Sequence, residues 1–325
     1  MWRTTAEERL ESMLGQQVYP DGTQMELSPG YHRITVLQFT GPLELARTNG
    51  LSLSPAIEAT MEGMFESQVK IMLPSFSGPA LNDSNWGDLS GFLKHALEFF
   101  PEREDFRYVA TKGKEGAPPD YTPIAFPYAG WQVMRTGWSR EDKYMIFDTG
   151  PLGIGHFHDD KLHFILNAYG RNLITDPGNY TYDKSVWRTN FIRRAWAHNT
   201  TMVNGRAQFR ERDPDGRYKK VDAPMEPRFI TNEQLDFAEG VFDEGFYRGD
   251  DAPRLPITQT RQFLFVKPDY WIMIDTFHNP QKGNEFTYET FFQLDGGNER
   301  INEQTLEVSI TSGPAALAVI PVGTS

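Results

Sequence analysis

The sequence predicts an α+β chain, with several antiparallel helices first and an antiparallel β-sandwich after them. Three observations carry this. Up to about residue 108, apolar residues recur at helical spacing behind Ser-Pro and Thr start signals. From about Tyr121, short apolar runs alternate with Gly, Asn, Asp and Pro. Between them, residues 109–125 are rich in Gly, Pro and Lys, which places a domain boundary there and gives domains at 1–115 and 116–325.

The helical part is justified element by element. Thr5 with Glu8 three residues on reads as a capping box opening a helix from Ala6 to about Gln17. Tyr19-Pro20-Asp21-Gly22 is a turn. Ser28-Pro29 is a cap with a first-turn proline, ahead of Tyr31, Val36 and Phe39, and Ser54-Pro55 repeats the signal ahead of Ile57, Met61, Met64 and Phe65. Residues 89–100 form another amphipathic helix, stopped by Pro101. These helices make a bundle or part of a helical toroid.

The strands follow at 131–135, 143–147, 162–168 and 173–174. Residues 200–203 run into Asn204-Gly205, a strong hairpin signal. Residues 258–266 and 270–277 flank Lys267-Pro268-Asp269, a second hairpin, and further strands are expected at 286–294, 306–310 and 316–322. Many strands with turn residues between them argue for a sandwich.

Composition narrows the function classes. The formal net charge of −12 makes nucleic acid a poor partner. Basic residues are nevertheless gathered at 188–220, which holds Arg188, Arg193, Arg194 and six more Arg or Lys; this is either a solvated charged loop or a basic lip for an acidic ligand. Without cysteine, thiolate chemistry is excluded and zinc would need His and carboxylate ligands. No apolar run approaches ~18 residues, so no membrane partner is expected. The start of the chain has no signal-peptide core.

Four of the seven histidines lie between Gly153 and Asn199. His158, Asp176 and His198 offer two imidazoles and a carboxylate, a set that suits a metal if adjacent strands bring them together; hydrogen-bonded histidines at a sheet edge are the alternative. His156 and His158, two apart, would point to one face of a strand. His163, inside an apolar strand, reads as structural. On the helical side, Tyr31 and His32 sit in a first helical turn, where the helix terminus favours negative charge and so a phenolate. A tyrosine so placed can act as base and then acid; an ordinary packing aromatic is the alternative.

Taken together, these motifs resemble a known family. Asp21-Gly22-x-x-x-Glu26-Leu27-Ser28-Pro29-x-Tyr31-His32, Gly155-x-Phe157-His158, Gly170-Arg171-Asn172, Asp176-x-Gly178 and Ala197-His198-Asn199-Thr200 resemble the heparinase II/III-like polysaccharide lyases, with the Glu-Leu-Ser-Pro-x-Tyr-His run closest to the heparinase III branch. The resemblance implies the last helices of an incomplete (α/α) toroid followed by a β-sandwich, and β-elimination of a uronate-containing polysaccharide. It implies Tyr31, His32 and His156 as catalytic residues. It makes His158, Asp176 and His198 ligands of a structural divalent metal, zinc or else calcium; in the heparinase III branch His158 would itself belong to the active site.

Glu26, Arg188, Arg193, Arg194 and Asn199 are expected to bind an anionic polysaccharide such as heparan sulfate. The earlier toroid helix that neutralises the substrate carboxylate in this family would lie upstream of Met1, so the chain is expected to be a fragment. The resemblance also implies a periplasmic or secreted location. An alginate lyase, a metallohydrolase using zinc-bound water with Asp159 or Asp160 as base, and a sugar-binding domain without turnover are the competing readings.

Overall fold

The computed structural model describes residues 2–183, 191–208, 221–226, 228–247, 253–280 and 285–323. Five helices come first: α1 Trp2–Gln17, α2 Pro29–Thr48, α3 Pro55–Lys70, α4 Ser90–Ala96 and α5 Glu104–Ala110. Helix α2 begins where Ser28, in extended backbone, hands over to Pro29, whose fixed φ suits a first turn. It buries Val36, Phe39, Leu43 and Ala46 along one stripe. Helix α3 is capped by Ser54, whose Oγ accepts from the Ile57 N–H at 3.3 Å, and it buries Ile57, Met61, Met64 and Phe65.

Two expectations for the helices are corrected. Helix α1 already begins at Trp2, so Thr5 lies inside it and is not a cap. The helix expected to reach residue 100 ends at Ala96, and a short helix, α5, follows Pro101 with Glu104 and Asp105 in its first turn.

The strands Ile124–Ala125, Trp131–Arg135, Tyr144–Asp148, Phe164–Ala168 and Arg171–Ile174 form a five-stranded antiparallel sheet in sequence order. Its three middle strands are buried throughout, and the pleat divides their side chains between two cores. Trp131, Val133, Tyr144, Ile146 and Ile165 join the helical core beside Phe65, Leu93 and Phe106. Met134, Met145, Phe147, Phe164 and Leu166 face the other way, against Ala238, Phe242, Phe263 and Phe265. Those last residues belong to a four-stranded antiparallel sheet of Arg228–Thr231, Leu235–Phe242, Thr258–Val266 and Tyr270–His278. The fold is therefore mixed α+β, and its first sheet lies between the helices and the second sheet.

The hairpin expected at Asn204-Gly205 forms, with both residues at positive φ and Val203 bridged to Arg206. The strand expected over 286–294 shortens to Tyr288–Thr290, paired with Thr201–Val203. The strand Leu235–Phe242 gives no apolar alternation because its inward residues are Asp236, Ala238, Gly240 and Phe242. Gly240 is required there: a Cβ would lie 2.5 Å from Thr149 and 2.6 Å from Leu162.

Candidate active site and metal cluster

The site is assembled on Asn82-Asp83-Ser84, in the loop between α3 and α4. Asn82 adopts a left-handed φ of 55°. Its amide donates to the Leu27 carbonyl at 3.0 Å, just before α2, and its carbonyl oxygen accepts the His158 N–H at 2.8 Å. The Ser84 hydroxyl accepts the Gly30 N–H at 2.9 Å and lies 2.9 Å from Ser28 Oγ. The Ser84 carbonyl accepts the Asn179 N–H at 2.9 Å, and a Cβ on Gly178 would come 2.1 Å from it. One tripeptide thus fixes the start of α2, the Gly155–His158 loop and the Asp176–Gly178 turn. Sequence reasoning missed it, because a run of short polar residues in a loop is the ordinary signature of local side chain–backbone bonding.

Tyr31 stands in the first turn of α2 with its ring stacked on His156, centroids 3.5 Å apart and planes 16° apart. The Tyr182 hydroxyl donates to the Tyr31 oxygen at 2.8 Å and lies 3.5 Å from His156 Nδ1. Burial, and then the bond to Tyr31, push the Tyr182 pKa up, so Tyr182 keeps its proton as the donor. His156 Nδ1 meets Asp83 Oδ2 at 3.1 Å, while its Nε2 lies 3.9 Å from Glu26 Oε2. Burial raises the Glu26 pKa and the charge of His156 opposes this. Tyr31 and His156, both read as catalytic from the resemblance, thus stack on each other, and Tyr182 and Asp83 are unforeseen neighbours of the pair.

Behind this pair, His158, Asp176 and His198 each offer a ligand atom within 4.8 Å of the others, and all three are buried. Asp83 Oδ1 holds His158 Nε2 at 3.0 Å, and Asp176 Oδ2 holds His198 Nδ1 at 2.5 Å. The remaining nitrogens, His158 Nδ1 and His198 Nε2, are buried without a hydrogen-bond partner. Two buried ring nitrogens with no partner, beside the Asp176 carboxylate and with Asp83 behind His158, fit a metal ion that would displace any proton on them.

Asp176 stays ionised: burial pushes its pKa up, but His198 and His163 outweigh that and hold it at about 2. His198 is lowered by burial and raised more by Asp176, to about 8. His163, read as structural, is fully buried beside this carboxylate, 3.2 Å from Asp176 Oδ2, and burial lowers its pKa to about 4. Its Nδ1 accepts the Asn199 N–H at 2.9 Å, so its Nε2 carries the proton toward Asp176.

One residue expected to be catalytic, His32, and three expected to bind substrate, Asn199, Arg193 and Glu26, are engaged within the protein instead. His32 is adjacent to Tyr31 and so turned about 100° around the helix. It is buried, with Nε2 donating to the Met64 carbonyl at 2.8 Å and lying 3.4 Å from Ser67 Oγ. It cannot touch a substrate. Asn199 is 0 % exposed; its amide donates to the Phe164 and Thr175 carbonyls and its oxygen accepts the Gln293 N–H, so it braces strands. Arg193 donates to the Phe157 carbonyl at 3.2 and 3.1 Å and lies over the Phe157 ring. Glu26 faces His156, where a carboxylate would repel an anionic sugar. Arg194 is different: it pairs with Asp159 at 3.3 Å and keeps 43 % of its side chain exposed. Arg188, and most of the basic stretch with it, lies outside the described residues.

The buried His32 gives a stability prediction. Burial lowers its pKa from 6.5 to about 4, so between those values the unfolded chain takes up a proton that the folded chain refuses. Its contribution is fully present above 6.5 and is lost as pH falls toward 4, at a cost of up to about 3 kcal/mol. Urea unfolding at neutral pH and near the lower limit should show a steeper loss for the wild type than for His32→Gln. Equal pH dependence would contradict a neutral buried imidazole.

Among the described residues, no helix is long and apolar enough to cross a membrane. Comparisons with known proteins agree with the architecture. Two heparin-sulfate lyases are similar in sequence: that of Bacteroides stercoris is 30 % identical over 291 residues, and that of Pedobacter heparinus 27 % identical over 292. Each alignment covers 87 % of this chain and 41 % of the relative, so the chain spans about two fifths of their length. Among solved structures, a heparinase III gene product aligns over 95 % of this chain and 46 % of its own, at TM-score 0.78 and 24 % identity. The heparan sulfate lyase of Pedobacter heparinus aligns over 96 % and 47 %, at TM-score 0.77 and 24 % identity. These two show a shared fold. The family described as heparinase II/III N-terminus matches residues 1–108, and the one described as heparinase II/III-like, C-terminal, matches residues 118–322; the chain belongs to the heparinase II/III-like family.

Proposed function

We propose that this chain carries the tyrosine-bearing and sheet-side part of a polysaccharide lyase site that cleaves a heparan sulfate-like glycosaminoglycan by β-elimination. The observation that carries the reading is Tyr31, a phenol in a first helical turn, stacked on an imidazole and receiving a hydrogen bond on its oxygen. The donor fixes the direction in which the Tyr31 oxygen points, and the first turn of α2 carries it at the edge of the helix–sheet junction. The relatives' names favour a glycosaminoglycan over alginate. In the same reading, helices α1 to α5 are the last part of an (α/α) toroid, the two sheets are a β-sandwich, residues 1–115 and 116–325 are its domains, and the protein acts in the periplasm or outside the cell.

In the reaction, the Tyr31 oxygen takes the C5 proton of the uronate. The released electron pair forms the C4–C5 double bond as the C4–O4 bond breaks, and Tyr31 returns the proton to the leaving oxygen. Tyr182 is a positioning residue that holds the Tyr31 oxygen ready. His156, stacked beneath the phenol, holds the plane of the Tyr31 ring beside the reacting uronate. The uronate carboxylate resists further negative charge, so donors must offset it as the enolate develops. Arg194 is the described guanidinium placed to meet acidic groups on flanking sugars, since its fork fits carboxylate and sulfate. His158, Asp176 and His198 would hold a zinc ion, which when bound supplies rigidity behind His156 and positive charge.

The test is to incubate the full-length protein with heparan sulfate, and in parallel with alginate, and follow ultraviolet absorbance of the new double bond. Absorbance growing with heparan sulfate is the expected result. Chain shortening without absorbance would mean hydrolysis, and binding without shortening would mean a sugar-binding protein.

A further inference from the structure

We propose that Asp83 is a positioning residue that fixes, with one carboxylate, the tautomers of two histidines with different work: His156 in the cleft and His158 in the metal cluster. The roles given to those histidines rest on the lyase reading above; the geometry does not. The Asp83 side chain is 2 % exposed. Its Oδ2 lies 3.1 Å from His156 Nδ1 and its Oδ1 lies 3.0 Å from His158 Nε2. Its own N–H donates to the His156 carbonyl at 3.0 Å. Asn82, next in the chain, ties the same loop to His158 and to Leu27. The carboxylate therefore cannot turn away from either ring.

An ionised carboxylate only accepts. At both contacts the imidazole must be the donor, so His156 carries its proton on Nδ1 and His158 on Nε2. Two consequences follow for the neutral rings. His158 is left with a lone pair on Nδ1, the nitrogen that is buried without a partner. His156 is left with a lone pair on Nε2, on the Glu26 side of the ring, so toward a substrate it accepts a proton and does not donate one. Residues 155–158 are not the strand that the i, i+2 spacing suggests; His156 adopts a left-handed φ of 51°, and with Phe157 buried between them both imidazoles reach one buried carboxylate. Because each ring is clamped, the His156 plane is also held parallel to Tyr31.

Asp83→Asn tests this at almost constant shape. An amide offers one acceptor oxygen and one donor nitrogen. It can satisfy the N–H of one imidazole only, and the other must turn a lone pair to the amide and move its own proton. The readout is long-range nitrogen–proton correlation of the histidine rings in the purified protein, recorded across a pH series so that each ring is read in its neutral form. The wild type should show the Nδ1–H tautomer for His156 and the Nε2–H tautomer for His158, and in Asp83→Asn one of the two should switch. If His158 switches, bound metal should fall; if His156 switches, metal should stay. In both cases kcat should fall about 10- to 100-fold with KM little changed.

A wild-type His156 protonated on Nε2, or both tautomers unchanged in the variant, would overturn the proposal. The wild-type spectrum decides even if the variant fails to fold. Tautomers are read without substrate, so a lost lyase reading leaves this result standing, and an active lyase with the wrong tautomers overturns this proposal alone.

Discussion

Tyr31→Phe in the full-length protein is expected to lower formation of the unsaturated product by about 10³-fold, the scale of a lost general acid–base group. The substitution removes one oxygen and little else. The ring that stacks on His156 at 3.5 Å remains, and the half-exposed Tyr182 hydroxyl keeps Asp83 as a hydrogen-bond partner. Circular dichroism and the urea midpoint should therefore stay near wild type, and KM should change little, so the loss falls on kcat. Tyr182→Phe is the graded comparison. It removes the donor but leaves the base, and roughly tenfold is expected, the worth of one hydrogen bond. Near-normal turnover by Tyr31→Phe would sink the assignment. Equal losses in both variants would mean that the two hydroxyls act as one unit.

The helices, most strands and the Tyr31 and His158–His198 motifs were legible because they follow short-range rules. Ser-Pro starts, helical spacing and Asn-Gly turns each act over a few residues; α3 and the 204–205 hairpin form as those rules require, and α2 starts at Pro29 although the Ser28 side chain does not cap it but meets Ser84. Contacts between distant segments were not legible. Asp83 is 73 residues from His156, and Tyr182 is 151 from Tyr31, so neither pairing leaves a local pattern. His32 shows the opposite failure. Its place next to Tyr31 in sequence suggested a shared cleft, but adjacent helical residues face different ways. Asn199 shows a third: a polar residue in a motif marks a buried brace as readily as a ligand contact, and only its three backbone partners separate the two.

Metal content separates a supported cluster from plain hydrogen bonding. Elemental analysis of the purified protein should find one zinc per chain. Calcium is disfavoured by the donors, because two of the three ligands are imidazoles and calcium prefers oxygen. A metal that binds only the folded chain at about a thousand times its dissociation constant stabilises it by about 4 kcal/mol. A chelator should therefore lower the unfolding midpoint, and zinc should restore it. His198→Ala should lose the metal and the chelator response together, since it deletes the orphaned Nε2. His163→Gln is the informative control. His163 contacts Asp176 but offers no ligand atom to the group, so its loss should weaken binding without abolishing it. The physical reason to expect metal is the pair of buried, unpartnered ring nitrogens on His158 and His198, because a buried polar atom left unpaired costs ~1–3 kcal/mol. No metal, and no response to chelator, would return both carboxylate–imidazole pairs to a purely structural role. Tyr31 and His156 would then depend on Asp83 and the Asn82 clamp alone.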